Sequence, residues 1–198
     1  MTTHEIDWLH DWDEAFARAR KESKPVLVAV KKKDDCIGCE QLDAYTYPDP
    51  AVQAAINDRF VPLRFYHLEE KVRDLHVLWL PTNFIFDKRG VEHYRSINAL
   101  QPADFLDVLD IGEALTRMRA AEYGKAVDLL EAPRDRSLDS PLRAEAIYYL
   151  GIARYFRAHH DHDVRDQTWA ELIERHPASI WTQRVPAVLE GAMQQSGF

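Results

Sequence analysis

The sequence predicts an α/β domain followed by an all-helical segment. Three observations carry this. Short runs rich in valine and phenylalanine at 26–30, 60–65 and 83–86 alternate with helical patterns across the first 111 residues. A turn sequence, Asp87-Lys88-Arg89-Gly90, joins the third run to a fourth at 91–97. From Gly112 onward no strand signal recurs, and apolar residues fall only at helical spacing. The two domains are therefore drawn at 1–111 and 112–198.

Taken in order, residues 6–23 carry Ile6, Trp8, Leu9, Trp12, Phe16 and Ala19 at roughly helical spacing. Asp11 with Glu14 resembles a capping box and places a helix start near Trp12, which makes Trp8 and Trp12 packing residues of that helix. Lys24-Pro25 ends it, and the run Val26-Leu27-Val28-Ala29-Val30 is too short for a helix and reads as a buried strand. Asp49 caps a helix that opens on Pro50. Phe60 to Phe65 is a second strand with Pro62 near its start, and a charged helical segment follows at about 68–75. Asn83-Phe84-Ile85-Phe86 and 91–97 form the hairpin, and Pro102 opens a helix with Phe105, Leu106 and Leu109. Beyond 112, helices are expected over 144–156, 168–175 and 180–193, with a polar connector from Pro133 to Pro141.

Composition narrows function. The net charge of −8 argues against nucleic acid or an anionic membrane as the main partner, since each needs a basic face. The polar N-terminus lacks a signal-peptide core, and no apolar run approaches the ~20 residues of a membrane span. A cytoplasmic location is therefore expected, where two cysteines point to catalysis or metal binding rather than a structural disulfide. Both cysteines fall in Lys31 to Glu40, between the first strand and a helix, as Cys36-Ile37-Gly38-Cys39. A C-x-x-C at a strand-to-helix junction is a redox signal.

These residues carry a family resemblance. The buried strand before the cysteines, the C-x-x-C opening a helix, Leu80-Pro81-Thr82 about forty residues on, and the Asp87–Gly90 hairpin before a last helix resemble the thioredoxin fold. The pattern Trp12, Ala15, Ala19, Lys24-Pro25-Val26-Leu27, Asp49-Pro50, Phe60-Val61-Pro62 resembles a thioredoxin-like subgroup with a tryptophan-bearing N-terminal helix. The resemblance implies a central mixed sheet flanked by helices and a thiol–disulfide oxidoreductase acting in cell redox homeostasis. Cys36 is then the nucleophile, its thiolate favoured at a helix N-terminus, and Cys39 the resolving thiol. Pro81 resembles the family's cis-proline, which leaves the Leu80 backbone open to an extended substrate. Trp79, Leu80, Pro81, Ile37 and Gly38 are the expected substrate-binding residues. The implied partners are a protein client with a disulfide or thiols and a disulfide reductase as electron donor. No cofactor and no metal are expected.

The sequence departs from the family at four places. Asp35 stands where a tryptophan usually precedes the first cysteine, and its carboxylate opposes the helix effect on Cys36, with Lys31, Lys32 and Lys33 as compensating charges. Gly38 replaces a proline, Val30 a buried aspartate, and Asn98 a glycine. Two other readings stand beside exchange: a redox-silent interaction module on the same fold, and a dithiol metal site completed by His67 and His76. His159-His160-Asp161-His162-Asp163 is a second metal candidate and otherwise a solvated loop. The helical segment resembles tetratricopeptide helix pairs through Leu150-Gly151, Trp169 and Pro177. It serves either as a stabilising extension or as a groove for a client.

Overall fold

The computed structural model describes residues 5–136, 140–186 and 188. The chain divides into two compact units, Met1–Thr116 and Arg117–Phe198.

In the first unit, helix α1 (Trp12–Glu22) starts where the Asp11 carboxylate accepts the Glu14 N–H at 2.8 Å. It stops at Ser23, whose left-handed backbone (φ 55°) closes the last turn. Residues 5–11 are not helical. Leu9 instead lies alongside Leu63 in a single parallel bridge, and Trp8 packs edge-on against Tyr47 at 5.2 Å. The helix thus begins at Trp12, near the expected start, while the helical spacing of Ile6, Trp8 and Leu9 ahead of it does not correspond to helix. The apolar residues at 6–9 answer to a strand edge, a non-local partner that periodicity does not register.

Strand β1 (Val26–Lys31) is central. The sheet order is β2-β1-β3-β4, with β2 (Val61–Tyr66) parallel to β1, and β3 (Thr82–Phe86) and β4 (Glu92–Ile97) forming the antiparallel hairpin. Because both faces of β1 are covered, its apolar run is continuous rather than alternating. One face holds Val26, Val28, Val30, Leu63, Phe65, Phe84 and Phe86 in a core with Ala15, Phe16 and Ala19 of α1. On the other face Asn83 accepts a hydrogen bond from the buried Tyr47 hydroxyl at 2.7 Å, and Tyr47 packs on Phe105. Pro62 sits on the edge strand with its carbonyl accepting from Leu9 N, so its missing N–H lies on the outer side, away from β1.

Helix α2 (Ile37–Gln41) runs into a π-helical turn (Leu42–Thr46), closed by Tyr47 N–H donating to Leu42 O at 2.8 Å. Helix α3 (Pro50–Arg59) is capped by Asp49, which accepts from Ala51 N and Val52 N. The charged segment expected over 68–75 is helical for one turn only, α4 (Glu70–Arg73). At the hairpin, the Asp87 carboxylate accepts from Arg89 N (2.8 Å) and Val91 N (3.0 Å), and Gly90 takes φ 89°. Helix α5 runs unbroken over Pro102–Arg119. Gly112 lies inside it because Ile85 crosses there; a Cβ on Gly112 would fall within the Ile85 side chain. The carboxylates of Asp110 and Glu113, both nearly buried, hold the Arg59 guanidinium at 2.7 and 2.8 Å.

The second unit contains α6 (Tyr123–Arg136), α7 (Leu142–Arg157) and α8 (His162–Arg175), then a 3₁₀ turn (Thr182–Arg184). The connector expected from Pro133 begins later, because α6 continues through Pro133 for a further turn. Only the Leu129 carbonyl loses its i→i−4 donor there. Helix α8 starts six residues before the expected 168, capped by Asp161. Of the helix expected at 180–193, residues 187 and 189–193 lie outside the described residues, and the described part holds a 3₁₀ turn at Thr182–Arg184. Gly151 admits the Trp169 indole, which donates to Tyr148 O at 3.0 Å; a Cβ at Gly151 would lie 2.5 Å from the indole nitrogen. Arg154 ties the three helices together through Glu131 (2.7 Å) and Thr168 (3.1 Å). No helix among the described residues is long and apolar enough to cross a membrane.

Candidate active site

Strand β1 delivers the chain to the top of the sheet. After the loop 32–35, with Asp35 left-handed at φ 59°, Cys36 serves as the N-cap of α2. Its Sγ accepts the Cys39 N–H at 3.3 Å, an N–H that the first turn of a helix leaves without an internal acceptor. Cys36 and Cys39 are joined by a disulfide. Cys36 is partly exposed, whereas Cys39 is buried and its Sγ accepts the Lys32 main-chain N–H at 3.4 Å. An attacking thiol has to be reached by solvent and a resolving one does not, and the two sulfurs differ in that sense.

The second half of the site comes from the segment before β3. The Leu80–Pro81 peptide is cis, and Pro81 O accepts from Asn98 N at 2.8 Å. Gly38 faces this corner. A Cβ on Gly38 would sit 2.7 Å from Asn98 Oδ1 and 2.9 Å from Pro81 Cδ, so the position has no room for a side chain. Gly38 is thus less a loosened hinge than a contact surface between the cysteine turn and Pro81. Among the described residues the Leu80 main chain makes no hydrogen bond, while the Trp79 carbonyl is taken by the Thr82 hydroxyl at 2.7 Å.

Between these halves lies an open groove of about 870 Å³. Cys36, Ile37 and Gly38 form one wall, and Leu78, Trp79 and Leu80 another. The expected residues Cys36, Ile37, Gly38, Trp79 and Leu80 therefore meet in one place; Cys39 is beneath it and Pro81 is buried at its base, against Gly38. Ile37 (76%), Leu78 (86%) and Trp79 (65%) are strongly exposed for such apolar side chains. Leu78 has no counterpart among the expected site residues, which in this segment begin at Trp79.

The three lysines do not act together. Lys31 pairs with Asp43, and Lys33 lies 4.8 Å above the Tyr66 ring. Lys32 alone lines the groove, opposite in charge to Asp35. Val30 is fully buried in the apolar core, so no carboxylate stands at that position. His67 and His76 both line the groove, and His67 Nδ1 is buried without a hydrogen-bond partner. Among the described residues no three His, Cys, Asp or Glu side chains converge as a metal site needs, here or at His159–Asp163. On the far face of the sheet from the α1 core, burial drives the Tyr47 phenol pKa up, against the opposing pull of Arg64 and the bond to Asn83, so its hydroxyl stays protonated as a donor.

Comparison with known proteins agrees with this geometry. Residues 7–99 match the family model described as thioredoxin-like. The thiol:disulfide interchange protein DsbD of Citrobacter koseri is 33% identical over 82 residues, covering 39% of this chain and 14% of that protein. The Escherichia coli K12 protein of the same name is 33% identical over 95 residues, 45% of this chain and 16% of its own length. The chain thus spans about one-sixth or less of these curated relatives. Among solved structures, a thioredoxin from Thermus thermophilus superposes with a TM-score of 0.47 at 25% identity, covering 54% of this chain and 85% of that one. The DsbH oxidoreductase gives 0.41 at 16% identity, with 65% and 87% covered. The family match ends before the helical unit. Residues 7–99 thus match the thioredoxin-like family model, and the sheet order β2-β1-β3-β4 with its flanking helices is a thioredoxin-like fold.

Proposed function

We propose that this protein is a thiol–disulfide oxidoreductase that exchanges disulfides with a protein client through Cys36 and Cys39. The observation that carries the reading is the Cys36–Cys39 disulfide, with one sulfur open to the groove and the other buried behind it. In the dithiol form, the Cys36 thiolate attacks one sulfur of a client disulfide. A mixed disulfide forms and the other client sulfur leaves as a thiolate, taking up a proton. The Cys39 thiolate then attacks Cys36 Sγ, expels the second client thiolate and closes the intramolecular disulfide. Two electrons pass to the client, and a reductase dithiol restores the pair. The Cys39 N–H directed at Cys36 Sγ supports the thiolate, and the unpaired Leu80 main chain offers a strand edge on which the client can align. Ile37, Trp79 and Pro81 border the path of that segment.

A cytoplasmic setting suits a chain whose two cysteines are both committed to this pair, leaving no structural disulfide. Reduction of insulin disulfides by the full chain, with Cys36→Ser as control, tests turnover. Titration of the Cys36 thiolate by its absorbance should give a value below the ~8.5 of a free thiol. An ordinary thiol pKa together with no insulin reduction would sink the proposal. Cys39→Ser should accumulate a mixed disulfide on Cys36 that identifies the client.

A further inference from the structure

We propose that the groove selects client segments carrying a carboxylate beside the reactive cysteine and a large apolar side chain close by. This rests on the exchange reading above and specifies the client for the same site.

The chain is acidic, with 33 Asp and Glu against 25 Lys and Arg, yet the groove runs the other way. Its charged lining is Lys32 and Arg73 against Asp35 alone. The neighbouring cations are engaged: Lys31 with Asp43, and Lys71 with Asp74 at 3.8 Å. Neither Lys32 nor Arg73 forms an ion pair among the described residues, so both are available to an incoming anion. Two cations lining a concave, largely apolar surface focus their field into it and steer oppositely charged partners. Ile37, Leu78 and Trp79 stand around the same opening, each more than half exposed. Apolar groups grouped at a groove mark a surface that a partner covers. The unpaired Leu80 main chain makes the partner an extended peptide segment. Together these features describe a client strand in which the cysteine has an acidic neighbour to meet the groove's cations and an apolar residue to meet Leu78 and Trp79.

The test uses the full chain, reduced, in single-turnover exchange with short cyclic disulfide peptides. These are identical except for glutamate, glutamine or lysine next to the cysteine, each with a leucine two positions away. The glutamate peptide should react fastest and the lysine peptide slowest, about tenfold apart at low salt. The spread should collapse in about 1 M NaCl, where the Debye length is ~3 Å. Arg73→Glu, an exposed substitution whose folding is checked by circular dichroism, should reverse the order. Leucine→serine in the glutamate peptide should slow it several-fold. Equal rates for the three charge variants would overturn the inference while leaving the exchange reading intact. No exchange with any peptide would remove both. Self-association that buries Trp79 without peptide, seen by sedimentation and fluorescence, would overturn it in favour of a second copy as occupant.

Discussion

Gly38→Ala separates two physical effects of opposite sign. Gly38 is the second residue of α2, and alanine is preferred over glycine inside a helix by up to about 1 kcal/mol. If only local propensity mattered, the variant would be more stable. Steric crowding in the fold opposes this and outweighs it. The new methyl would meet Asn98 Oδ1 at 2.7 Å and Pro81 Cδ at 2.9 Å. The Asn98 side chain can rotate, but it then gives up its bond to Ala99 N, now 2.9 Å, at about 1 kcal/mol. The Pro81 ring is part of the backbone and cannot turn away. Forcing a methyl into a filled contact costs about 1–3 kcal/mol. The net expectation is a loss of about 1–3 kcal/mol, read from urea denaturation followed by tryptophan fluorescence and circular dichroism. Adding Asn98→Ala removes the polar half of the clash, so the double variant should recover part of the loss, giving a coupling of at least about 0.5 kcal/mol. A single variant as stable as the parent, or more so, would refute the claim that Gly38 is there for lack of space.

The remaining predictions concern packing and charge elsewhere in the fold. Tyr47→Phe removes the donor to Asn83 Oδ1 in a buried pocket where Asn83 Nδ2 already has no partner, and should cost about 1–3 kcal/mol in the same denaturation assay. Arg59→Met removes the cation paired with the nearly buried Asp110 and Glu113, and should cost about 3 kcal/mol in urea denaturation. For Asp87, burial raises the pKa, but the N–H groups of Val91 and Arg89 and the His93 ring outweigh it and hold the carboxylate below its ordinary value. A depressed folded pKa contributes stability that is present above the unfolded value of about 3.9 and is lost as pH falls through the folded one. The stability gap between the parent and Asp87→Ala should therefore narrow steadily from about pH 5 to about pH 2, and a pH-independent gap would contradict the assignment. Gly151→Ala drives a methyl onto the Trp169 indole and should destabilise the helical unit by about 1–3 kcal/mol, seen as an earlier transition in its far-ultraviolet signal.

What could be read from the sequence was local. The valine run of β1, the Asp49-Pro50 start of α3, the Asp87–Gly90 turn and the cysteines at a helix start are each written in consecutive residues. The features that were missed depend on partners far along the chain. Gly112, where the sequence reading starts the second domain, lies inside α5 and is small because Ile85 crosses the helix there. Ile6 to Leu9 have helical spacing, yet Leu9 is held by Pro62 O and Arg64 N, more than fifty residues away. Pro133 reads as a stop, but it falls near the end of a helix already formed. Cys36, Ile37, Gly38, Trp79 and Leu80, named from one motif and one X-Pro-Thr segment, line one groove. Leu78 as a groove wall, Arg73 as its cation and the division of labour among Lys31, Lys32 and Lys33 were not foreseen, because each depends on which way a side chain turns in the folded loop.

The bridge between Leu9 and Leu63 also bears on how the protein stays dispersed. β2 is an outer strand of the sheet and would otherwise present donors and acceptors along its free side. Leu9 occupies the Pro62 carbonyl and the Arg64 N–H there, Pro62 contributes no donor of its own, and the Arg64 guanidinium is drawn over the Trp8 ring at 4.3 Å. The segment ahead of α1 thus works as a guard against strand-to-strand aggregation, and a chain trimmed to begin at α1 would keep its core while exposing an edge ready to recruit another copy.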